Sequence, residues 1–302
     1  MTLQKPHSLA VPGLDAAAAR RWARCLPVAS PWLHEEVAKR MAQRLEWFRE
    51  MPDSWLHWEP AFGGMDAHRH LREKLPKADC RVWANDMAHA LKATREAAHL
   101  SWNPAQWRRA HEPSAIGDDA SVAMVWANMA LHGEPLPGDM LQRWHGLLKP
   151  DGFVMFSCLG PDSLLELRGV YARMGWPEPA HAFTDMHDWG DMLVASGFAE
   201  PVMDMERITL TFSHVDAYLQ ELRGLGRNLN ENRFAALRGR GWHEALRLAL
   251  DSHIPRDESG RLVMTFEVVY GHAFKPQPRV PMKAEQAVSV DVMRAMLRTG
   301  RR

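Results

Sequence analysis

Three cysteines are all that this chain of 302 residues contains, and Cys25, Cys80 and Cys158 are odd in number, far apart and free of CxxC spacing. That excludes a disulfide scaffold and suits a reducing cytosol. No apolar run approaches the roughly 18 residues a membrane helix needs. The opening MTLQKPHSLAVPGL lacks the apolar core of a signal peptide and carries prolines. The expectation is a cytoplasmic protein with no membrane partner. Net charge is missing as well: Lys plus Arg and Asp plus Glu number 37 each, so nothing draws the chain to nucleic acid in general. Neither Ser157 nor Ser163 sits in a GxSxG context, which disfavours a serine hydrolase. Histidines are many, at 16, but His68 and His70 are two apart on a helical pattern and face different sides. Helix capping accounts for Asp185, His187 and Asp188, and no metal is expected.

What is present fits an ordinary globular protein, 46% hydrophobic and 25% charged, long enough for one substantial core with a smaller cap. Asp15 is placed to cap a helix through AAAARRWARC. In PWLHEEVAKRMAQRLEWFREM, Leu33, Val37, Met41, Leu45 and Phe48 keep the spacing of an amphipathic helix. SWLHW, CRVWAND, SVAMVWAN, FVMFSCL and ITLTF read as strands, and RLVMTFEVVYGHAF as a final strand pair or one long strand. Helical patterns alternate with them, among them MAHALKATREAAHL, DMLQRWHGLL and MHDWGDMLVASGF, the last capped by Thr184 or Asp185 with Gly197 beyond its end. KPDG reads as a tight turn, and the Trp-rich segment 101–119 gives no clear pattern. This rhythm predicts an α/β fold, a doubly wound, mostly parallel sheet covered by helices on both faces.

The stretch 214–254 is almost entirely helical in pattern and lies between strands, so it reads as an inserted cap. The organisation expected is a tail and helical arm over 1–50, an α/β core over 51–212, the helical cap over 213–255, the final strands of the core over 256–280 and a tail over 281–302.

Ligands of doubly wound sheets sit at the carboxyl ends of the strands. Three polar strand ends qualify: Glu59 with Gly63 and Gly64, Asn85 with Asp86, and Asn128. Glycines after a first strand let backbone approach a ligand, and an acid after the second grips ribose hydroxyls. On its own residues EPAFGGM is equally a strand-to-helix turn that uses glycine for its conformation.

LLKPDGFVMFSCLGPDSLLELR (147–168) resembles a segment of class I S-adenosylmethionine-dependent methyltransferases. More narrowly it resembles the malonyl-acyl-carrier-protein O-methyltransferases of biotin synthesis. VWANMALH, FTDMHDWGDMLVASGFAEPVMDMERITLTF and FEVVYGHAFKP carry the same resemblance, as does RRWARCLPVASPWLHEEVAKRMAQRLEWF. It covers roughly residues 18–276. It implies a seven-stranded Rossmann-like sheet and S-adenosylmethionine as cofactor. Against the family's acid followed by alternate glycines, Glu59 and Gly63 match, Gly64 is one place off, and Ala61 and Met65 stand where glycines are expected. A methionine there would crowd the cofactor. The ribose-binding acid falls at Asp86 or, one residue off, Asn85, and an adenine-contacting acid falls near Glu112. Val122 and Ala123 replace the family's phenylalanine-aspartate. The family's arm carries a tyrosine over the site; with only Tyr171, Tyr218 and Tyr270 available, Trp22 or Trp32 is left to cover it.

Glu59, Gly63, Gly64, Asn85, Asp86 and Asn128 are thus the cofactor-binding candidates, and no catalytic residue is assigned. The acceptor implied is the free carboxylate of malonyl-acyl carrier protein, or an acyl-CoA thioester, in biotin biosynthesis. A carboxylate is ionised near neutral pH, so its methylation needs positioning and exclusion of water rather than a general base. Arg168, Arg207 and Arg223 are candidates to hold the acceptor. Arg20, Arg21 and Arg24, or Arg227, Arg233 and Arg238, are candidates to dock an acidic carrier. His272 reads equally as facing the cleft or as a buried histidine. Two other functions remain open: a non-catalytic methyltransferase-like protein with a binding or assembly role, and an enzyme of this fold with another acceptor.

Overall fold

Apolar runs bounded by turn residues form the centre of the molecule. In a computed structural model describing residues 13–25, 29–98, 113–116, 121–234 and 236–278, seven strands join one sheet in the order β3-β2-β1-β4-β5-β7-β6. They are β1 (Ser54–Trp58), β2 (Asp79–Trp83), β3 (Ser114–Ala115), β4 (Val122–Ala127), β5 (Leu148–Leu159), β6 (Ala199–Phe212) and β7 (Leu262–Phe274). The pairs β1–β2, β1–β4, β2–β3 and β4–β5 are parallel. β7 runs antiparallel to both neighbours, β5 and β6. This is the seven-stranded, mostly parallel, doubly wound sheet expected. The final apolar run is one long strand rather than a hairpin, because β6 offers it a continuous partner from Phe212 back to Val202.

Helices are α1 (Ala16–Trp22), α2 (Trp32–Arg44), α3 (Pro60–Gly63), α4 (Met65–Lys74), α5 (Met87–Ala98), α6 (Pro137–Leu147), α7 (Leu165–Arg173), α8 (Met186–Ala195), α9 (Val215–Leu225) and α10 (Arg240–His253). Successive strand residues point to opposite faces. Trp55, Met124, Phe153 and Met155 therefore pack with Leu33, Val37 and Met41 of α2 and Leu71 of α4. Leu56, Val125, Val154 and Phe156 pack on the other side with Trp144 of α6 and Trp189 of α8. Among the described residues no helix is long and apolar enough to cross a membrane.

Several local readings change. α2 stops at Arg44, and Leu45–Trp47 tighten into a 3-10 turn. Phe48 therefore reaches the core from outside the helix, stacked on Phe153 at 4.3 Å between ring centres. KPDG is no separate turn but lies inside β5, with Asp151 in the left-handed region at φ 63°. Asp185, not Thr184, caps α8 by accepting the His187 N–H at 2.8 Å. The stretch between β6 and β7 holds α9 and α10, but 226–234 and 236–239 are not helical. Asn228 and Asn230 fold it into turns by accepting the N–H groups of Asn230 and Asn232, each at 2.8 Å. Most of 101–119, with Glu112, and the tail over 281–302 lie outside the described residues.

Candidate active site

β1 delivers the chain to the site fully buried, and the backbone then turns sharply. Glu59 adopts φ 50°, ψ 57°, a left-handed conformation that costs a non-glycine residue about 1 kcal/mol. The Glu59 N–H donates to the Trp83 carbonyl at 2.7 Å, and the Glu59 carbonyl accepts from Phe62 and Gly63. Pro60, which has no N–H to satisfy, opens the single helical turn α3. The loop after β1 is thus a helical turn and not an extended glycine loop.

Residues of α2 and the segment before it hold that turn. The Ser30 hydroxyl donates to the Ala61 carbonyl at 3.0 Å and accepts the Met65 N–H at 3.2 Å. His34 Nδ1 donates to the Phe62 carbonyl at 2.9 Å. The Glu35 carboxylate accepts N–H groups of Met65, Asp66 and Ala67 at 2.8, 3.1 and 3.3 Å. It caps α4 from outside that helix. Gly63 is needed for close approach: a Cβ there would meet the Asn128 carbonyl at 3.3 Å and the Trp58 carbonyl at 3.5 Å.

A cleft of about 1060 Å³ opens at the carboxyl ends of β1, β2 and β4. That is at the upper end of the range that encloses one small-molecule ligand. Glu59, Asn85, Asp86 and Asn128 line it, together with Ala61 and Phe62. Gly63, Gly64 and Met65 do not. The two glycines expected to face a cofactor are displaced because the helical turn carries them back toward α2. The same displacement takes Met65 out of the position where it would crowd the cleft.

Glu59 Oε1 accepts from both the backbone N–H and the side-chain amide of Asn85, each at 2.8 Å. Burial raises the Glu59 carboxyl above its ordinary pKa, the Asn85 hydrogen bonds oppose that, and nearby Asp86 adds to it. Asp86 Oδ1 caps α5 by accepting the His89 N–H at 2.9 Å. Among the described residues nothing donates to Asn85 Oδ1 or Asp86 Oδ2, so both keep acceptor capacity at the rim. Asn128 is 1% exposed, and its amide is fully engaged. Nδ2 donates to the His34 carbonyl at 2.8 Å and to the Gly63 carbonyl, and Oδ1 accepts from Ser157 at 2.6 Å. It clamps the β1 turn to α2 and β5, which leaves its side chain no donor for a ligand.

The far half of the cleft is apolar, lined by Leu159, Leu164, Leu219, Leu246 and Phe266. α9 and α10 supply two of these. His132 and His181 also line the cleft, and burial holds both imidazoles below the usual range, hence neutral. Trp22 lines the cleft and meets the Phe62 ring edge-on at 6.2 Å. Trp32 is 55% exposed and does not line it. Of the arginines considered for the acceptor, Arg223 lines the cleft. Arg168 donates to the His181 carbonyl at 2.9 Å and lies over the Phe183 ring. Arg207 pairs with Asp162 at the surface. His272 packs beside Phe48, away from the cleft. Ser30, His34 and Glu35 act some thirty residues from the turn they hold, so no local pattern points to them.

The chain is 38% identical over 260 residues to malonyl-acyl-carrier protein O-methyltransferase of Gallionella capsiferriformans, covering 83% of this chain and 87% of that one. It is 35% identical over 262 residues to the enzyme of the same name from Laribacter hongkongensis, covering 84% and 86%. No protein-family model matches it. Among solved structures, the YcgJ protein of Bacillus subtilis aligns at a TM-score of 0.48 and 13% identity, over 80% of this chain and 99% of that one. The N-methyltransferase NodS of Bradyrhizobium japonicum, in complex with S-adenosylhomocysteine, aligns at 0.41 and 12%, over 86% and 98%.

Proposed function

The chain belongs to the malonyl-acyl-carrier protein O-methyltransferase family, and from that premise we propose that it methylates the free carboxylate of a malonyl thioester on acyl carrier protein in biotin biosynthesis. The observation that carries this reading is the two-sided cleft, with ribose acceptors at one end and an apolar chamber under the cap at the other. The residues present fit an adenosyl group. Met65 and the glycines stand clear, Asn85 and Asp86 offer acceptors to ribose hydroxyls, and Ala84 and Ala90 leave room for a base. S-adenosylmethionine, when bound, supplies an electrophilic methyl group.

The chain's own residues do the rest. The leucines of the chamber exclude water from the acceptor and raise the reactivity of its carboxylate. That group is already ionised at neutral pH, so neutral His132 and His181 need take no proton. Arg223 and Arg227 line the cleft and also an adjoining groove with Arg21 and Arg233. This arginine edge suits an acidic carrier. Three unpaired cysteines support a cytoplasmic setting.

Isothermal titration with S-adenosylhomocysteine tests the reading first. Micromolar binding that weakens at least tenfold in Asn85→Ala/Asp86→Ala is expected. No heat and no thermal shift at millimolar ligand sinks it and leaves the non-catalytic alternative, which the helical turn in place of a glycine loop favours. Complementation of a biotin auxotroph then tests the acceptor; failure despite soluble expression and intact cofactor binding points to a different acceptor.

A further inference from the structure

We propose that Arg20 and Arg24, on the arm, bind the carboxylate of the cofactor's amino-acid tail, an assignment that rests on the cofactor reading above. It begins from the donors of the β1 turn. Pro60 has no N–H, and Glu59 donates to Trp83. Phe62, Gly63 and Gly64 donate within the turn. Met65, Asp66 and Ala67 donate to Glu35. Among the described residues Ala61 alone has a backbone N–H there without a partner. A helix N-terminus is a ready anion site, but at α4 that site already holds the Glu35 carboxylate. A second carboxylate beside it would meet like charge.

The tail's countercharge must therefore come from side chains. The guanidinium groups that line the cleft are those of Arg20, Arg24, Arg223 and Arg227. Four histidines line it too, His89, His132, His181 and His243, and burial holds His132 and His181 neutral; an imidazole offers a carboxylate one N–H at a time, where a guanidinium offers a paired fork. Arg227 is engaged: its guanidinium donates to the Arg223 and Gly226 carbonyls and lies 5.1 Å from the Trp22 ring. Arg223 and Arg227 also line the outer groove, whereas Arg20 and Arg24 line only the main cleft. Neither Arg20 nor Arg24 has a side-chain partner among the described residues.

Arg20 lies in the last turn of α1 and Arg24 just beyond its end, and this arm is seated where the tail must lie. Asp15 caps α1 through the Ala17 and Ala18 N–H groups and pairs with Arg233 at 2.8 Å. Leu14, Ala18 and Ala19 pack on Leu229. The Asn85 amide reaches the Ala23 carbonyl at 3.4 Å, which puts Arg24 next to the ribose acceptors. Two guanidinium forks four residues apart can grip one carboxylate with parallel N–H donors.

The test compares S-adenosylhomocysteine with 5′-methylthioadenosine, which has no amino-acid tail, by isothermal titration on the full chain. The intact protein is expected to favour the tailed ligand by about tenfold or more. In Arg20→Ala/Arg24→Ala that preference falls to about twofold or less while methylthioadenosine binding stays within about twofold. Arg24→Lys, a point charge without the fork, retains an intermediate preference. Both arginines are exposed, so the variants fold, and matched melting curves check it. An unchanged preference in the double variant, or no preference in the intact protein, overturns the assignment alone. Absence of binding by either ligand overturns the cofactor reading and the assignment with it.

Discussion

Glu35→Ala removes an external cap from α4, and its cost can be worked out from the contacts. The carboxylate accepts from three successive N–H groups, the shortest at 2.8 Å to Met65. Loss of a side-chain N-cap costs about 1 kcal/mol, and loss of a negative charge at a helix N-terminus adds about 0.5 to 1. Asp66 is exposed, so water replaces part of the loss, and a total near 2 kcal/mol follows. For a chain of 302 residues that lowers the melting temperature by about 3 °C. Glu35→Gln keeps one acceptor oxygen but no charge, so it should fall about midway. Calorimetric or fluorescence melts of the three proteins at neutral pH measure the order. If Glu35→Ala melts within 1 °C of the parent, or if Gln is as harmful as Ala, then Glu35 does not hold the α4 N-terminus as described.

Other perturbations follow from the same contacts. Gly64→Ala places a Cβ 3.0 Å from Glu35 Oε2 at a φ of 125°, which should cost about 1 to 3 kcal/mol; a melt matching the parent contradicts the backbone geometry. Asn128→Asp presents a buried carboxylate to the His34 and Gly63 carbonyls, so it should unfold at a lower temperature than Asn128→Ala, and the reverse order would mean that the amide is not the donor there. Burial lowers His34 to about 4 and His57 to about 3 from 6.5. The unfolded chain then binds more protons than the native one below about 6.5, so stability is complete above that pH and declines as pH falls toward 4. The slope approaches about 1.4 kcal/mol per pH unit for each histidine, and denaturant midpoints that do not fall between about pH 7 and 5 would refute it.

How far the sequence speaks depends on whether a residue's role is set locally. SVAMVWAN and FEVVY are apolar enough to be buried on both faces, and they became β4 and the heart of β7. Asp15 and Asp185 bond N–H groups two or three residues on, so capping was readable in both. The register of β6 against β7 was not. β6 is half-exposed along its length, and only pairing with the long β7 carries the strand back through EPVMDME. Nor was the choice between Trp22 and Trp32 readable, because both sit on amphipathic helices and only the docking of α1 on Leu229 turns one toward the cleft.

The glycine pattern misleads for the same reason. A methionine at position 65 argues against a cofactor only if the chain after β1 runs extended past the ligand. Here Glu59 turns left-handed, Pro60 starts a helical turn, and Met65 leaves the cleft to give its N–H to Glu35. Three residues on one side of the turn, Ser30, His34 and Glu35, and Asn128 on the other take up its carbonyls and the N–H groups that follow. The departures at Ala61 and Met65 and the anchors around α2 therefore form one arrangement. A turn with every donor but one satisfied no longer needs glycines to expose its backbone. It also can no longer offer that backbone to an anion. The open berth beside it follows from that rearrangement, and Arg20 and Arg24, which line the same cleft without a side-chain partner among the described residues, support recognition of a charged tail on the arm rather than on the sheet.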